Sequence, residues 1–397
     1  MFAAYRRVFR TRGFTLPYLL GIVVTLALGS VGLGLLLTVK DRTGSLGTAG
    51  IVAGAFGLGN AFGLFAQGRL IDRYGQPRIL VPAALGCGAG LVATVLSGPA
   101  APVTALLAGA AFPATISSMR VLTTALVADH TVRISAYALL GVSFSLAAVA
   151  GPLIVSAAVL VADPAVAVVL AAILIGAGGT AFACTPAARL WRAPRPDPHQ
   201  PATGLLNAGM VTLLLANSFT GFAAGIGSVA LPAAVLAHGP AALTGVGFAV
   251  SAAGDVIGGL GYGAIGWSPR RSAQLAMVLA VDAVFGWAIA AASGVLVALL
   301  VLLFVSSVLL AVGPIASSAL LDTVAPRQAL TTAYTAIVGC GLIAGAIGNA
   351  VGGAVAERHG AGAAYGLAAL AVTVAAAWVT ARLRSLHGVP EAGPGTP

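Results

Sequence analysis

Charge is what this sequence most lacks. Only 8% of its 397 residues are Asp, Glu, Lys or Arg, against about 25% in an average soluble domain, too few to cover a surface facing water. A soluble enzyme is excluded on that ground. Cysteine is scarce as well: Cys87, Cys184 and Cys340 are an odd number, far apart, each in or beside an apolar stretch. That excludes a disulfide framework or a thiolate metal site and predicts three core residues, with no metal and no cofactor. P-loops, zinc spacings and blocks of like charge are also missing, so neither ATP-driven pumping nor nucleic-acid binding has a motif to rest on. Energy for any transport has to come from a gradient.

What is present is apolar surface and glycine. Hydrophobic residues make up 59% of the chain and glycines number 53, with a mean hydropathy of +1.02, which suits helices that meet lipid on one side and pack through small residues on the other. A bilayer crossing takes about 20 apolar residues. Twelve such segments follow one another: 14–39, 46–66, 79–96, 103–127, 134–161, 165–183, 205–230, 243–265, 272–292, 295–321, 330–356 and 361–379. The first follows Arg6, Arg7, Arg10 and Arg12 but is too long for a signal peptide and lacks a clear cleavage site, so it reads as a retained helix.

Arginine sets the expected orientation. Placing the N-terminus in the cytoplasm puts Arg6, Arg7, Arg10, Arg12, Arg69, Arg73, Arg78, Arg133, Arg189, Arg192, Arg195, Arg270, Arg271, Arg327, Arg382 and Arg384 on that side, 16 of the 20 cations, as the positive-inside rule requires. Lys40, Arg42 and Arg358 fall on the other side and Arg120 lies inside the fourth segment. Both termini are then cytoplasmic, in a multi-pass protein of a bacterial-type plasma (inner) membrane.

The longest polar break, RLWRAPRPDPHQPAT at 189–203, is rich in Pro and Arg and reads as a cytoplasmic linker between a bundle at 1–188 and a second at 204–397 that ends in a short tail. An internal repeat agrees. Gly59, Gly63 and Gly68 in the second segment match Gly254, Gly258 and Gly263 in the eighth at a constant offset of 195 (254 − 59), and Asn60 matches Asp255. A second echo pairs Pro113, Ser117 and Ser118 with Pro314, Ser317 and Ser318, with spacing that differs by one.

After the second segment comes Gly68-Arg69-Leu70-Ile71-Asp72-Arg73-Tyr74-Gly75-Gln76-Pro77-Arg78. Gly68 would allow helices to approach, Gly75 a tight turn, and Asp72 at a helix end pairing with arginines or with the N-terminus of an adjoining helix. The run resembles the loop signature of the major facilitator superfamily in Gly68, Leu70, Asp72, Arg73, Gly75 and Arg78. The resemblance implies an all-α integral membrane fold of twelve transmembrane helices in two pseudo-symmetric six-helix bundles, similar to the bacterial twelve-helix efflux members. It also implies a gating role for Gly68, Asp72, Arg73, Gly75 and Arg78, which would hold the cytoplasmic side closed without touching substrate. A degenerate copy follows the eighth segment, Gly263 to Arg271, with Trp267 where the aspartate would stand. Gly151-Pro152 resembles the antiporter motif of drug exporters, without most of its glycines.

Ionisable groups inside a bilayer cost roughly 2.5 to 3.5 kcal/mol each on insertion scales, so Arg120, Asp255 and Asp282 each need a partner or a purpose. Arg120 shares a stripe with Pro113, Ser117 and Thr124 at helical spacing, read either as cavity lining or as an arginine reaching the cytoplasmic interface. Asp255 stands with Phe248, Ser251, Gly259 and Tyr262, and Asn60 with Phe56 and Gln67; the carboxyl is a proton carrier, a counter-ion or a neutral interhelical bond. Asp282 is expected to be packing glue. Asn217, Phe222, Phe144 and Tyr334 complete the candidate cavity residues, and Gly341, Gly345, Gly348 and Gly352 form a stripe for a close neighbour and for rocking. The expected function is alternating access for a small amphipathic or hydrophobic molecule, proton-coupled efflux first and proton-coupled uptake second. A non-transporting receptor or scaffold is the alternative of another class. The expected partners are the substrate, protons and lipid around a monomer.

Overall fold

The computed structural model describes residues 2–192, 207–264, 271–325 and 330–386. Most of the 189–203 linker and residues 265–270 of the degenerate loop lie outside them. A short helix α1 (Phe2–Arg10) precedes α2 (Thr15–Thr43), α3 (Leu46–Tyr74), α4 (Gln76–Leu96), α5 (Ala101–Ala110), α6 (Thr115–Leu126), α7 (His130–Val161) and α8 (Pro164–Ala183). The short α9 (Pro186–Leu190) then leads to α10 (Ala208–His238), α11 (Leu243–Ala264), α12 (Arg271–Ala292), α13 (Leu296–Leu310), α14 (Val312–Val324) and α15 (Leu330–Ala381). Eleven described stretches are long and apolar enough to cross a membrane. The last holds two crossings, because α15 folds back at Gly360, whose φ of 84° only glycine adopts easily.

Local chemistry sets the ends. Ser45 caps α3 by accepting from Thr48 N–H, Asp163 caps α8 at Ala165 N–H, and Asn207 caps α10 at Met210 N–H. The fourth segment divides into α5 and α6 because Pro113 cannot continue the hydrogen-bond ladder. Gln67 of α3 takes up the freed groups: its Nε2 donates to the carbonyls of Ala110 (3.1 Å) and Phe112 (2.8 Å), and its Oε1 accepts from Ala114 N–H (3.1 Å). Broken helices persist at membrane depth only when neighbours satisfy the backbone in this way.

The glycine repeat is structural. A Cβ at Gly59 would strike Leu106 O and Ala110 N, and one at Gly63 would strike Ala110 O; at Gly254 the obstacles are Phe304 O and Val308 N, and at Gly258 Val308 O. The 195-residue offset between glycines is met by one of 198 between obstacles (304 − 106, 308 − 110). α3 therefore packs on α5 as α11 packs on α13, and the chain forms two pseudo-symmetric bundles, α2–α8 and α10–α15. The proline and serine echo is out of register with this repeat. The 198 offset places Pro113 opposite Ala311, where α13 gives way to α14, and Pro314 lies three residues further on.

Two further expectations need correction. Cys87 is buried, but Cys340 is half-buried and Cys184 exposed. The stripe Gly341, Gly345, Gly348 and Gly352 does admit a close neighbour, but that neighbour is α10 of the same bundle, through Asn217, Gly221, Phe222 and Ile226. It is a fixed contact inside one lobe and offers no sliding surface between lobes.

Candidate functional site

The two bundles touch core to core toward one end, α3 and α15 stay in contact as far as Phe65 on Gly339, and at the other end their buried cores are separate. The face carrying the chain ends also carries Arg69, Arg73, Arg78, Arg189 and Arg192 by the alternation of helices, and is called here the arginine-rich face. At this face the buried apolar residues form two separate clusters. Val8, Phe14, Ile71, Met119 and Phe182 belong to one bundle, and Met210, Leu275, Leu320 and Val379 to the other. At the far face the clusters touch. Val229 of the second bundle is buried among Val31, Val52 and Val155 of the first, and Leu46 and Phe248 pack against both cores.

Glycine makes that far-face contact close. Gly47, Gly50, Gly54 and Gly57 of α3 run along the first arm of α15, where added Cβ atoms would meet Glu357, Asn349 and Ala346; from the other side, Gly353 would meet Leu46 O at 2.6 Å. The second inter-bundle seam, α7 on α11, repeats it. Gly50 is blocked by Asn349 and Gly353, and Gly245 by Pro152 and Ser156, with offsets of 195 (245 − 50) and 197 (349 − 152, 353 − 156). Polar atoms close both seams: Gly245 N–H donates to Ser156 Oγ at 3.0 Å, while Glu357 accepts from Ser45 Oγ at 2.8 Å and Gly47 N–H at 2.6 Å. Gly151-Pro152 sits here, Gly151 against Gly29 of α2 and the Pro152 carbonyl against Gly245.

The gating motif lies at the opposite end, exposed. Gly75 makes the tight turn between α3 and α4 with φ 86°, its N–H bonded to Ile71 O at 2.8 Å. Ile71 is buried, Asp72, Arg73 and Arg78 are exposed, and the Arg73 guanidinium rests 5.2 Å from the Tyr74 ring. Asp72 makes no hydrogen bond or ion pair among the described residues. Nothing stands near Gly68, so the close approach expected there is not made in this arrangement.

The membrane-buried candidates divide. Along α6 the residues Thr115, Ser118, Met119, Leu122 and Thr123 are buried, while Ser117, Arg120 and Thr124 are exposed. Arg120 lies 5.8 Å from the centre of the Tyr137 ring, whose hydroxyl meets Thr124 Oγ1 at 2.8 Å. Pro113 leaves this stripe, because the helix break turns it toward Gly179 of α8. Phe144 is 52% exposed on α7, and Tyr334 is exposed with its hydroxyl donating to Ser318 O at 3.2 Å. Asp255 is exposed and accepts a hydrogen bond from Ser307 of α13; its repeat partner Asn60 keeps a buried Oδ1 without a partner among the described residues. The side chain of Tyr262 lies outside the described set.

Three candidates make packing contacts. Asn217 Nδ2 donates to Ile337 O at 2.7 Å and braces α10 on α15. Phe222 packs against the far-face core of the second bundle, and half-buried Phe248 packs against the cores of both bundles. Asp282, half-buried in α12, makes no hydrogen bond among the described residues. An open apolar groove of about 870 Å³ lined by Leu85, Val92, Ile173 and Cys184 lies between α4 and α8, inside the first bundle and away from the interface. Sequence reasoning missed Ser45, Ser156 and Glu357. Ser45 is legible as an N-cap, but nothing in one sequence says that Glu357 reaches α3.

A helical membrane protein of two pseudo-symmetric six-helix lobes, with cores that touch at one face and stay separate at the other, has the build of a carrier. The Major Facilitator Superfamily model matches residues 18–348, and the chain belongs to that family. No curated protein sequence matches it. Among solved structures it resembles a bacterial homologue of the human lysosomal transporter Spinster, in an inward-facing and occupied conformation (TM-score 0.74, 12% identity, 96% of this chain and 99% of that one). It resembles also a bacterial homologue of the iron transporter ferroportin in the inward-facing state (0.72, 14%, 94% and 98%) and the nucleoside transporter NupG (0.68, 14%, 94% and 99%).

Proposed function

We propose that this chain is a secondary active transporter that moves a small amphipathic or hydrophobic molecule across a bacterial plasma membrane by alternating access, as a proton-coupled exporter. The observation that carries the reading is the asymmetry of the interface: at the far face the cores of the two lobes touch through Val229, Leu46 and Phe248, and at the arginine-rich face the two cores share no residue. By the positive-inside rule the arginine-rich face is cytoplasmic, which makes this an inward-facing arrangement with the 189–203 linker on the same side. The Spinster and ferroportin homologues were captured in an inward-facing state as well.

Asp255 is the coupling group in this reading. It is exposed, on the repeat counterpart of Asn60, and held by a single neutral partner, so it is free to exchange a proton. Arg120, fixed over Tyr137 beside Thr124, with Phe144 and Tyr334 exposed on α7 and α15, supplies a polar and aromatic wall. Few charges in such a wall favour amphipathic cargo over sugars or phosphate esters. The test uses inverted vesicles: an imposed proton gradient should accumulate candidate compounds, and Asp255→Asn should reduce gradient-driven accumulation at least tenfold while leaving downhill exchange within about threefold. Accumulation that ignores the gradient in the unsubstituted protein sinks the coupling, and accumulation in the opposite direction assigns uptake.

A further inference from the structure

The helix pair formed by α3 and the first arm of α15 carries one carboxylate at each end. α3 runs from the far face to the arginine-rich face and ends at Asp72; α15 starts at Leu330 beside the arginine-rich face and reaches Glu357 at the far face. The two helices belong to different lobes, and their N-termini lie at opposite faces. A helix N-terminus favours a negative charge, because its first N–H groups have no partner within the helix.

In this structure one of the two carboxylates is engaged. Glu357 accepts from the first turn of α3 at Gly47 N–H and from the α3 cap at Ser45 Oγ, and Gly47 and Gly353 have no side chain to hold the helices apart. Asp72 is exposed and without such a contact. We propose that Glu357 is the outer latch of this transporter, and that Glu357 on α3 and Asp72 on the opposite face are mutually exclusive closures of one rocking helix pair. The proposal rests on the alternating-access reading. Its reason is geometric: tilting the lobes to close the arginine-rich face pulls α15 away from α3 at the far face, so one carboxylate gains its helix terminus only as the other loses its own.

The environment of Glu357 agrees. Its carboxyl is held below its ordinary value of 4.5 first by the Ser45 hydroxyl and then by Gly47 N–H, with Arg358 the charged neighbour that adds to the effect; the α3 groups facing it are uncharged. A carboxyl depressed in the closed state stabilises closure above its open-state value and loses that stabilisation as pH falls through the closed-state value. Acid at the far face below about 4.5 should therefore open the outer side.

The experiment measures both gates in the full chain with Cys87, Cys184 and Cys340 replaced by alanine. One pair of spin labels sits at the far face, at Ala100 and Gly294, and another at the arginine-rich face, at Ala128 and Thr323; pulsed electron resonance then gives the distance distribution of each pair. Glu357→Gln should raise the ratio of far-face-open to far-face-closed molecules about threefold, as expected for losing a charge-assisted contact that water screens, and should remove the response to external acid. Ser45→Ala should act in the same direction and less strongly. Asp72→Asn should shift the ratio the opposite way, and the double variant should return it toward the parent. Unchanged or narrowed far-face distances in Glu357→Gln, in protein that elutes as a single folded species, overturn the outer latch. Shifts of equal sign for Glu357→Gln and Asp72→Asn overturn the mutual exclusion. Correct shifts in a protein that moves none of the tested compounds leave the latch standing and sink the efflux reading alone.

Discussion

Replacing Gly54 by leucine is expected to abolish transport while leaving the fold intact. Gly54 lies on the α3 face that meets the other lobe, and a Cβ there collides with the Ala346 backbone of α15. An isobutyl group fits only if the lobes stay apart at the far face. Overpacking of this kind costs about 3 kcal/mol, the upper part of its usual range, which is about a hundredfold in the closed population. Initial transport rates in proteoliposomes should fall by roughly that factor, and the thermal unfolding midpoint should stay within a degree or two of the parent, because the open state has room for the side chain. Rates within twofold of the parent would mean that the α3–α15 seam need not close during turnover.

The same substitution inside a lobe should fail differently. Gly258 packs α11 against the Val308 carbonyl of α13, and these two helices belong to one bundle, so no step of a rocking cycle separates them. Gly258→Leu must then be absorbed by the fold itself, at roughly 1 to 3 kcal/mol or more. Without a hydrophobic force between helices in lipid, close backbone approach is a large part of what holds them together. The expected result is a lower yield and a clear drop in the unfolding midpoint in detergent, with Gly63→Leu behaving alike through its repeat-related contact with Ala110. If Gly54→Leu and Gly258→Leu give the same loss of stability, the division into two rigid lobes with a mobile seam is wrong.

The contrast between these glycines shows where sequence reasoning stops. Gly54, Gly59, Gly63 and Gly258 look alike along the chain, and the 195-residue repeat picks out the last three as a structural device without any coordinates. Gly54 differs only in which lobe it touches. Asn217 and Phe248 illustrate the same limit: an amide and an aromatic ring at plausible cavity positions brace α10 and pack against the cores of both bundles, and helical spacing gives a face without naming its neighbour. Glu357 reads along the chain as one more loop charge.

By itself the sequence determined the solvent and the period: long uncharged runs must cross lipid as helices because unpaired backbone polar groups are too costly there, and arginine placement, the glycine repeat and the Gly68 to Arg78 loop follow from such rods being arranged as two related halves. Only the tertiary structure decided which face is shut, since closure depends on contacts between residues some 300 positions apart, such as Ser45 and Glu357. No local propensity in the chain encodes such a contact.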